Sequence, residues 1–311
     1  MSETKTEWYF IVNPCAGSGK TMSHWKPAES WLLARGIPFV SVMTDYKQHA
    51  IELARDAASK GYRRIVAVGG DGSVHEAFNG LCSWCVENGV PFSDFTLAVI
   101  PIGSGNDWIK SLGIKNDPMK AVRLLEGPDM GRMDVVSCRF ADFTRYMVNV
   151  GGAGFDSNVC VRVNAQKEMG KRSRLIYIAS LIHTIFHTRT IRLRLVADGV
   201  TVFEGPCFSV ALGNGKFSGG GMRQVPLADM NDGLLDYMVV PRMSLPVLLT
   251  KVPLLFSGKL YKTDRVVMGT CRSLEILPLD AESAVPVEID GEVEGNLPLA
   301  VSNTGESIAV F

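Results

Sequence analysis

Three stretches of the sequence combine small residues with polar side chains in a way that suits the handling of phosphate. The first, Asn13-Pro14-Cys15-Ala16-Gly17-Ser18-Gly19-Lys20, follows an apolar run and precedes a helix-like segment. Its end, Gly19-Lys20-Thr21, matches the close of a P-loop, but Pro14 stands where that motif needs a glycine, so the match fails. A loop entering a helix still offers free N–H groups and a positive dipole end to an anion. Ordinary turn glycines are the competing explanation.

The second stretch is Gly69-Gly70-Asp71-Gly72-Ser73-Val74-His75-Glu76. Glycine permits close backbone approach, and packing alone gives no reason for three glycines around one carboxylate. Asp71 would repel phosphate unless Mg²⁺ lay between them, which is how sites commonly hold this cation beside a nucleotide. Ser73 and Glu76, three apart, also have the spacing of a capping box at the start of a helix. The third stretch, Pro101-Ile102-Gly103-Ser104-Gly105-Asn106-Asp107, again follows an apolar run; Asn106 and Asp107 taken singly would be turn residues.

Two acidic groupings lie further along. Asp229 and Asp232 sit three apart before Gly233, a spacing open both to an oxygen-ligated cation and to plain turn hydrogen bonding. Ile289-Asp290-Gly291-Glu292 reads as a two-residue hairpin turn, which by itself assigns Asp290 to turn geometry and leaves Glu292 a solvated charge.

The elements that must position these residues change character along the chain. Up to about residue 132, apolar runs at Trp8–Val12, 38–43, Arg64–Val68 and Thr96–Ile100 alternate with helix-like segments at 20–34, 48–59 and 74–85. This order predicts an α/β nucleotide-binding domain with a parallel sheet, whose ligands collect beyond the carboxyl ends of the strands. From 133 to 303 short strands are expected at 145–150, 191–196, 208–212, 235–240, 266–268, 274–277 and 285–289. Helices interrupt them near 158–166, 175–186 and 245–256, giving a mostly antiparallel β domain. The last strand, within 304–311, is a candidate to complete the first domain.

With 46% hydrophobic and 21% charged residues the chain can bury a sizeable core. Its 32 basic and 32 acidic residues balance, so no global field argues for nucleic acid. Locally, eight basic residues between Arg162 and Arg194 (Arg162, Lys167, Lys171, Arg172, Arg174, Arg189, Arg192, Arg194) face one acid, Glu168. Seven acidic residues crowd 275–294. Peripheral contact with an anionic membrane surface and a solvated or internally paired charge run explain the basic stretch equally well. Residues 1–7 lack the pattern of a signal peptide. The seven cysteines read as reduced thiols of a cytoplasmic protein. Cys82-Ser83-Trp84-Cys85 has no second pair for zinc and reads as core.

Taken in order, NPCAGSGK, GGDGSVHEAFNG and PIGSGND resemble the diacylglycerol-kinase catalytic domain shared by bacterial lipid kinases, diacylglycerol kinases, and sphingosine and ceramide kinases. The resemblance continues through Asn149–Asp156, Gly213-Asn214-Gly215, Pro226–Asp236 and Asp290-Gly291-Glu292, nearly the whole chain. It implies a two-domain enzyme that holds ATP between its domains and transfers the γ-phosphoryl group to a lipid alcohol. Diacylglycerol, a sphingoid base or a related lipid would be the substrate.

By position it implies that Asn13, Pro14, Gly17, Thr44, Gly69, Gly70, Asp71, Gly72, Ser73, Glu76, Ser104, Asn106 and Asp107 line the nucleotide. Asp71 would act on metal-bound phosphates, and Asp229, Asp232 and the Leu234 carbonyl would hold a structural Mg²⁺. Glu292, beside Asp290, would be the proton acceptor. Ser73 and Ser104 replace the threonine more usual there, and His75 an asparagine. An NAD kinase-like enzyme with a soluble substrate, which shares the GGDG loop, and a catalytically silent nucleotide- or lipid-binding protein are the alternatives. The cysteines and the basic stretch lead to an expected location in the cytoplasm or peripherally at the inner membrane face; the oligomeric state, a homodimer included, stays open.

Overall fold

The computed structural model describes residues 4–103, 105–168, 174–188, 190–280 and 284–311. Ser104, Lys171, Arg172 and Arg189 lie outside the described residues, as do the side chains of Lys167 and Arg174. Two compact units are formed, Met1–Val135 with Gly305–Phe311, and Val136–Thr304.

The first unit is built on parallel strands. Lys5–Val12 lies between Phe39–Met43 and Tyr62–Gly69; Thr96–Pro101 follows beyond the latter, and Ala309 and Val310 pair in parallel with Thr96 and Leu97. These strands are near-continuous apolar runs because helices cover both faces of the sheet, leaving no solvent side to mark with polar residues. On one face Phe10, Val66, Val68 and Ile100 pack with Trp25, Leu32 and Phe311. The helix His49–Ser59 meets the helix Asp71–Asn88 through Ala54 and Gly80, where a Cβ on Gly80 would sit 2.3 Å from the Ile51 carbonyl oxygen. That close approach holds the start of the Asp71–Asn88 helix, and so the GGDG loop, rigidly at the end of its strand. At its other end the helix stops on Gly89, in the left-handed conformation that favours glycine.

The second unit is antiparallel. The strand Val200–Gly213 pairs with Val150–Gly154, Ile191–Ala197 and Leu235–Pro241. The hairpin Pro286–Ile289/Glu292–Asn296 extends the sheet beside Val150–Gly154. Leu193, Leu195, Val210, Leu212, Leu274, Ile276 and Val287 form its core. The helices Phe155–Glu168, Arg174–His187 and Leu245–Ser257 belong to this unit.

Two expectations are corrected here. The stretch 145–150 is not one strand but two, Thr144–Met147 and Val150–Gly154, separated by a turn at Val148-Asn149. The strand Gly131–Arg139 was not foreseen, because Arg132, Asp134 and Arg139 break the apolar pattern that reveals a buried strand. Cys82 and Cys85 are buried thiols pushed above their ordinary range by burial, as the core reading requires.

Candidate functional site

In the first unit the three glycine-bearing stretches pack against one another. The first does not run straight into a helix as expected: Gly17 and Ser18 both adopt left-handed conformations before the helix Thr21–Ala34 begins. A Cβ on Gly17 would lie 2.3 Å from the Ile102 carbonyl oxygen, so only glycine lets this loop touch the third. A Cβ on Gly70 would be 3.1 Å from the Gly103 Cα, and one on Gly69 would collide with the Ser73 hydroxyl. The Asn13 amide joins two loops, its Nδ2 donating to Ser73 Oγ at 3.1 Å and its Oδ1 accepting from the Cys15 N–H at 3.0 Å. Thr44 sits at the end of the neighbouring strand, its N–H bonded to the Val12 carbonyl at 2.9 Å.

The capping box does not form. The helix begins at Asp71 with Gly70 as N-cap, and Ser73 lies inside the first turn facing Asn13. Glu76 instead accepts the Gln48 and Ala50 N–H groups at 3.1 and 3.3 Å, capping the neighbouring His49–Ser59 helix. Asp71 also has a packing role that its spacing concealed. Its Oδ1 accepts the N–H groups of Asp107 and Trp108 at 2.7 and 3.1 Å, tying the second loop to the third.

Asp107 pairs with Lys110 at 2.6 Å, and Lys110 also donates to the Gly105 carbonyl at 2.8 Å. Asn106 is 2% exposed and donates from Nδ2 to the Gly103 carbonyl and to Asn116 Oδ1. Its Oδ1 lies beside Gly70 and Gly103, buried and with no hydrogen-bond partner among the described residues. A buried acceptor left open in the middle of three loops is an unmet demand for a donor or a cation.

In the second unit the Asp290-Gly291 turn is as the sequence predicts, Ile289 facing Glu292 across two residues with positive φ. Asp290, however, is fully engaged with the Val148-Asn149 turn. Its two carboxylate oxygens accept the Val148 and Asn149 N–H groups at 2.9 and 2.8 Å. The Asn149 carbonyl in turn accepts from the Asn214 and Gly215 N–H groups, at 2.9 and 2.7 Å. The sequence landmarks at 149, 214 and 290 thus meet in one network. Glu292 stands half-buried on the strand just after the turn.

The 229–236 loop carries three aspartates. Asp229 Oδ1 accepts the Asn231 N–H and Asp232 Oδ1 the Leu234 N–H, the ordinary turn bonds of aspartate. Asp236 is buried, and its Oδ1 has no hydrogen-bond partner among the described residues. Burial, then the charges of Asp232 and Asp229, push its carboxyl up to about 6 against the opposing pull of Lys216. Among the described residues no three His, Cys, Asp or Glu side chains are grouped to hold a metal ion.

Sequence reasoning overlooked an apolar cavity of about 60 Å³ in the second unit, lined by Phe155, Leu181, Phe208, Leu248 and Leu255 among others. At its wall Asp156 accepts hydrogen bonds from the Ser209 hydroxyl and the Gln224 amide. Gln224 is 3% exposed, and its Oε1 has no partner among the described residues. Ser209 and Gln224 lie 53 and 68 positions beyond Asp156 in the chain, so no local motif announces them.

Burial pushes the Asp156 carboxyl up to about 6, partly offset by the Ser209 hydroxyl, its own backbone N–H and the Gln224 amide. With the folded pKa above the unfolded value near 3.8, the native state binds the extra proton. Asp156 therefore favours folding at low pH, and that contribution is lost as pH rises from about 4 to about 6. The loss is on the order of 2–3 kcal/mol. Melting curves of Asp156→Asn and the parent at pH 4.5 and 7.5 check this: the variant should gain relative stability at the higher pH, and an equal difference at both would refute it.

Residues 7–138 match the model of the diacylglycerol kinase catalytic domain, and residues 149–311 that of the YegS C-terminal NAD kinase beta sandwich-like domain. The chain belongs to this family of lipid kinases, whose members use ATP. It is 26% identical over 318 residues to the "Putative lipid kinase YtlR" of Bacillus subtilis, covering 98% of this chain and 99% of that one. It is also 26% identical over 307 residues to a diacylglycerol kinase of Mycobacterium tuberculosis, covering 97% and 93%. Its fold is similar to the crystal structure of a diacylglycerol kinase from Bacillus anthracis, with a TM-score of 0.72, 23% identity and coverage of 99% and 98%. Among the described residues no helix is long and apolar enough to cross a membrane.

Proposed function

We propose that this chain transfers the γ-phosphoryl group of ATP to the hydroxyl of a lipid: diacylglycerol, a sphingoid base or a related lipid alcohol. The observation that carries the reading is the pairing of two features in one chain. One is a set of three interlocked glycine loops with the open Asn106 acceptor. The other is an apolar lining with a polar wall at Asp156, Ser209 and Gln224, the chemistry that an aliphatic chain with a hydrogen-bonding group calls for.

Phosphoryl transfer asks little covalent chemistry of a protein; positioning and charge neutralisation dominate. Asn13, Pro14, Gly17, Thr44, Gly69, Gly70, Gly72, Ser73, Ser104, Asn106 and Asp107 are assigned to the nucleotide, with Glu76 bracing the GGDG helix from behind. Asp71 keeps one oxygen on the third loop and would help to hold a Mg²⁺ ion, which when bound would supply charge neutralisation at the phosphates. Glu292 accepts the proton of the lipid hydroxyl, and Asp290 fixes the turn that carries it. A structural Mg²⁺ suits Asp229, Asp232 and the Leu234 carbonyl. The donor set is all oxygen, and the neighbouring Asp236 Oδ1 is a buried orphan whose carboxyl the two aspartates burden with negative charge.

Phe186, Val247, Leu249 and Phe256 are exposed apolar residues on helices of the second unit, which supports peripheral contact with a lipid surface. Radiolabelled ATP offered against a total lipid extract, with NAD in a parallel reaction, tests the reading. Label is expected in an organic-soluble phosphomonoester; label in NADP, or none in lipid, would overturn it.

A further inference from the structure

The second unit contains a larger cavity, of about 540 Å³, within the range of small-molecule sites. Its lining includes Arg162 from the helix Phe155–Glu168, His183 and His187 from the helix Arg174–His187, Thr188 after it, and Arg192 from the strand Ile191–Ala197. None of these belongs to the residues assigned above to nucleotide, metal or proton transfer.

Among the described residues the lining carries an excess of positive charge. The acid among them is Asp280, 3.4 Å from the Arg192 guanidinium in a pair exposed to solvent, where ion pairs hold weakly. Among the described residues the buried Arg162 Nε has no hydrogen-bond partner, nor has the Thr188 hydroxyl. The His183 and His187 rings stack with centroids 3.9 Å apart and planes 7° from parallel. His187 Nδ1 lies 2.8 Å from the His183 carbonyl oxygen, an acceptor, so Nδ1 carries a proton and Nε2 is left for another partner. Burial, then the nearby Arg162 and His187, holds the His183 imidazole below its ordinary range.

We infer that this cavity binds a phosphoryl anion, with Arg162 and Arg192 as its charge partners and His183, His187 and Thr188 as further donors. The planar guanidinium fork matches phosphate oxygens bidentately, and the threonine hydroxyl and imidazole N–H supply the remaining directions. The ligand chemistry is a phosphate monoester or diester, carried either by a small soluble molecule or by the headgroup of an anionic lipid.

Inorganic phosphate titrated into the full chain, with the histidine side-chain ¹H–¹⁵N resonances observed by nuclear magnetic resonance, tests the site locally. Phosphate in the glycine loops would not move these signals. Saturable shifts of His183 and His187 are expected. Arg162→Gln should weaken binding about tenfold, the size of one charge-assisted contact. Arg192→Gln, at an exposed position that tolerates change, should weaken it too, whereas Asp280→Asn should tighten it by removing the competing charge.

Two further arms separate the sources. If glycerol 3-phosphate shifts the histidines and the Arg162→Gln/Arg192→Gln chain still sediments with phosphatidylglycerol vesicles like the parent, the ligand is a soluble phosphomonoester. If that double variant loses sedimentation with phosphatidylglycerol vesicles, while neither chain binds phosphatidylcholine, the ligand is a lipid headgroup. Histidine signals indifferent to phosphate, or shifts of equal affinity in parent, Arg162→Gln and Asp280→Asn, would overturn the inference.

Discussion

Asp71→Asn should reduce turnover by about 10³–10⁵-fold while leaving the first unit folded. The substitution is informative because Asp71 does two things at once. Its Oδ1 accepts from the Asp107 and Trp108 N–H groups, joining the GGDG loop to the loop after Thr96–Pro101. An asparagine keeps a carbonyl oxygen in that place and can accept both bonds. What it loses is charge, and a neutral acceptor costs about 1 kcal/mol of stability where a charged one stood. Asp71→Ala removes the acceptor as well and leaves two N–H groups orphaned, so it should melt lower than Asp71→Asn. Steady-state rates on the labelled lipid, with melting curves for both variants, separate the two effects. Wild-type rates from Asp71→Asn would reduce Asp71 to a loop anchor and sink its role toward the phosphates.

The arrangement of strands and helices in the first unit was legible because both faces of its sheet are buried. The strand Tyr62–Gly69 therefore shows an unbroken apolar run, Ile65–Val68, up to Gly69 and the loop that follows it. The Asp290-Gly291 turn was equally readable, since left-handed conformations at both positions demand such residues. What stayed hidden depends on partners far apart in the chain. Asp290 clamps a turn 141–142 residues away, and Asp156 meets Ser209 and Gln224 across 53 and 68 residues. Local spacing also misled: Ser73 and Glu76 have the interval of a capping box, yet Glu76 faces another helix because Gly80 brings that helix so near. The basic stretch 162–194 showed its charge but not its shape. Only folding reveals that Arg162, His183, His187 and Arg192 line a concave surface, while Arg194 turns away to pair with Glu204 at 2.7 Å.

Asp290 and Glu292, two residues apart and paired in the sequence reading, should separate cleanly by role. Glu292→Gln is expected to lower turnover by about 10²–10⁴-fold, the usual contribution of a positioned base, with a smaller loss of stability than removal of the Asp290 carboxylate. Asp290→Ala should do the reverse of that pattern in stability. Two buried N–H groups, of Val148 and Asn149, lose their acceptors, and alanine is forced into a left-handed conformation with φ of 54°. Together these cost about 3–5 kcal/mol, a fall of about 6–20 °C in a domain of this size. Asp290→Asn is the refining case. Asparagine tolerates the left-handed position, but its amide presents one acceptor and one donor where the turn offers two donors. One N–H is then left facing an NH₂ group, so the loss of stability should fall between those of the parent and the alanine variant. If turnover falls in Asp290→Asn only as far as the folded fraction falls, Asp290 positions the turn and Glu292 alone handles the proton. If the folded Asp290→Asn chain loses as much turnover as Glu292→Gln, the two carboxylates share that task and the division argued here is wrong.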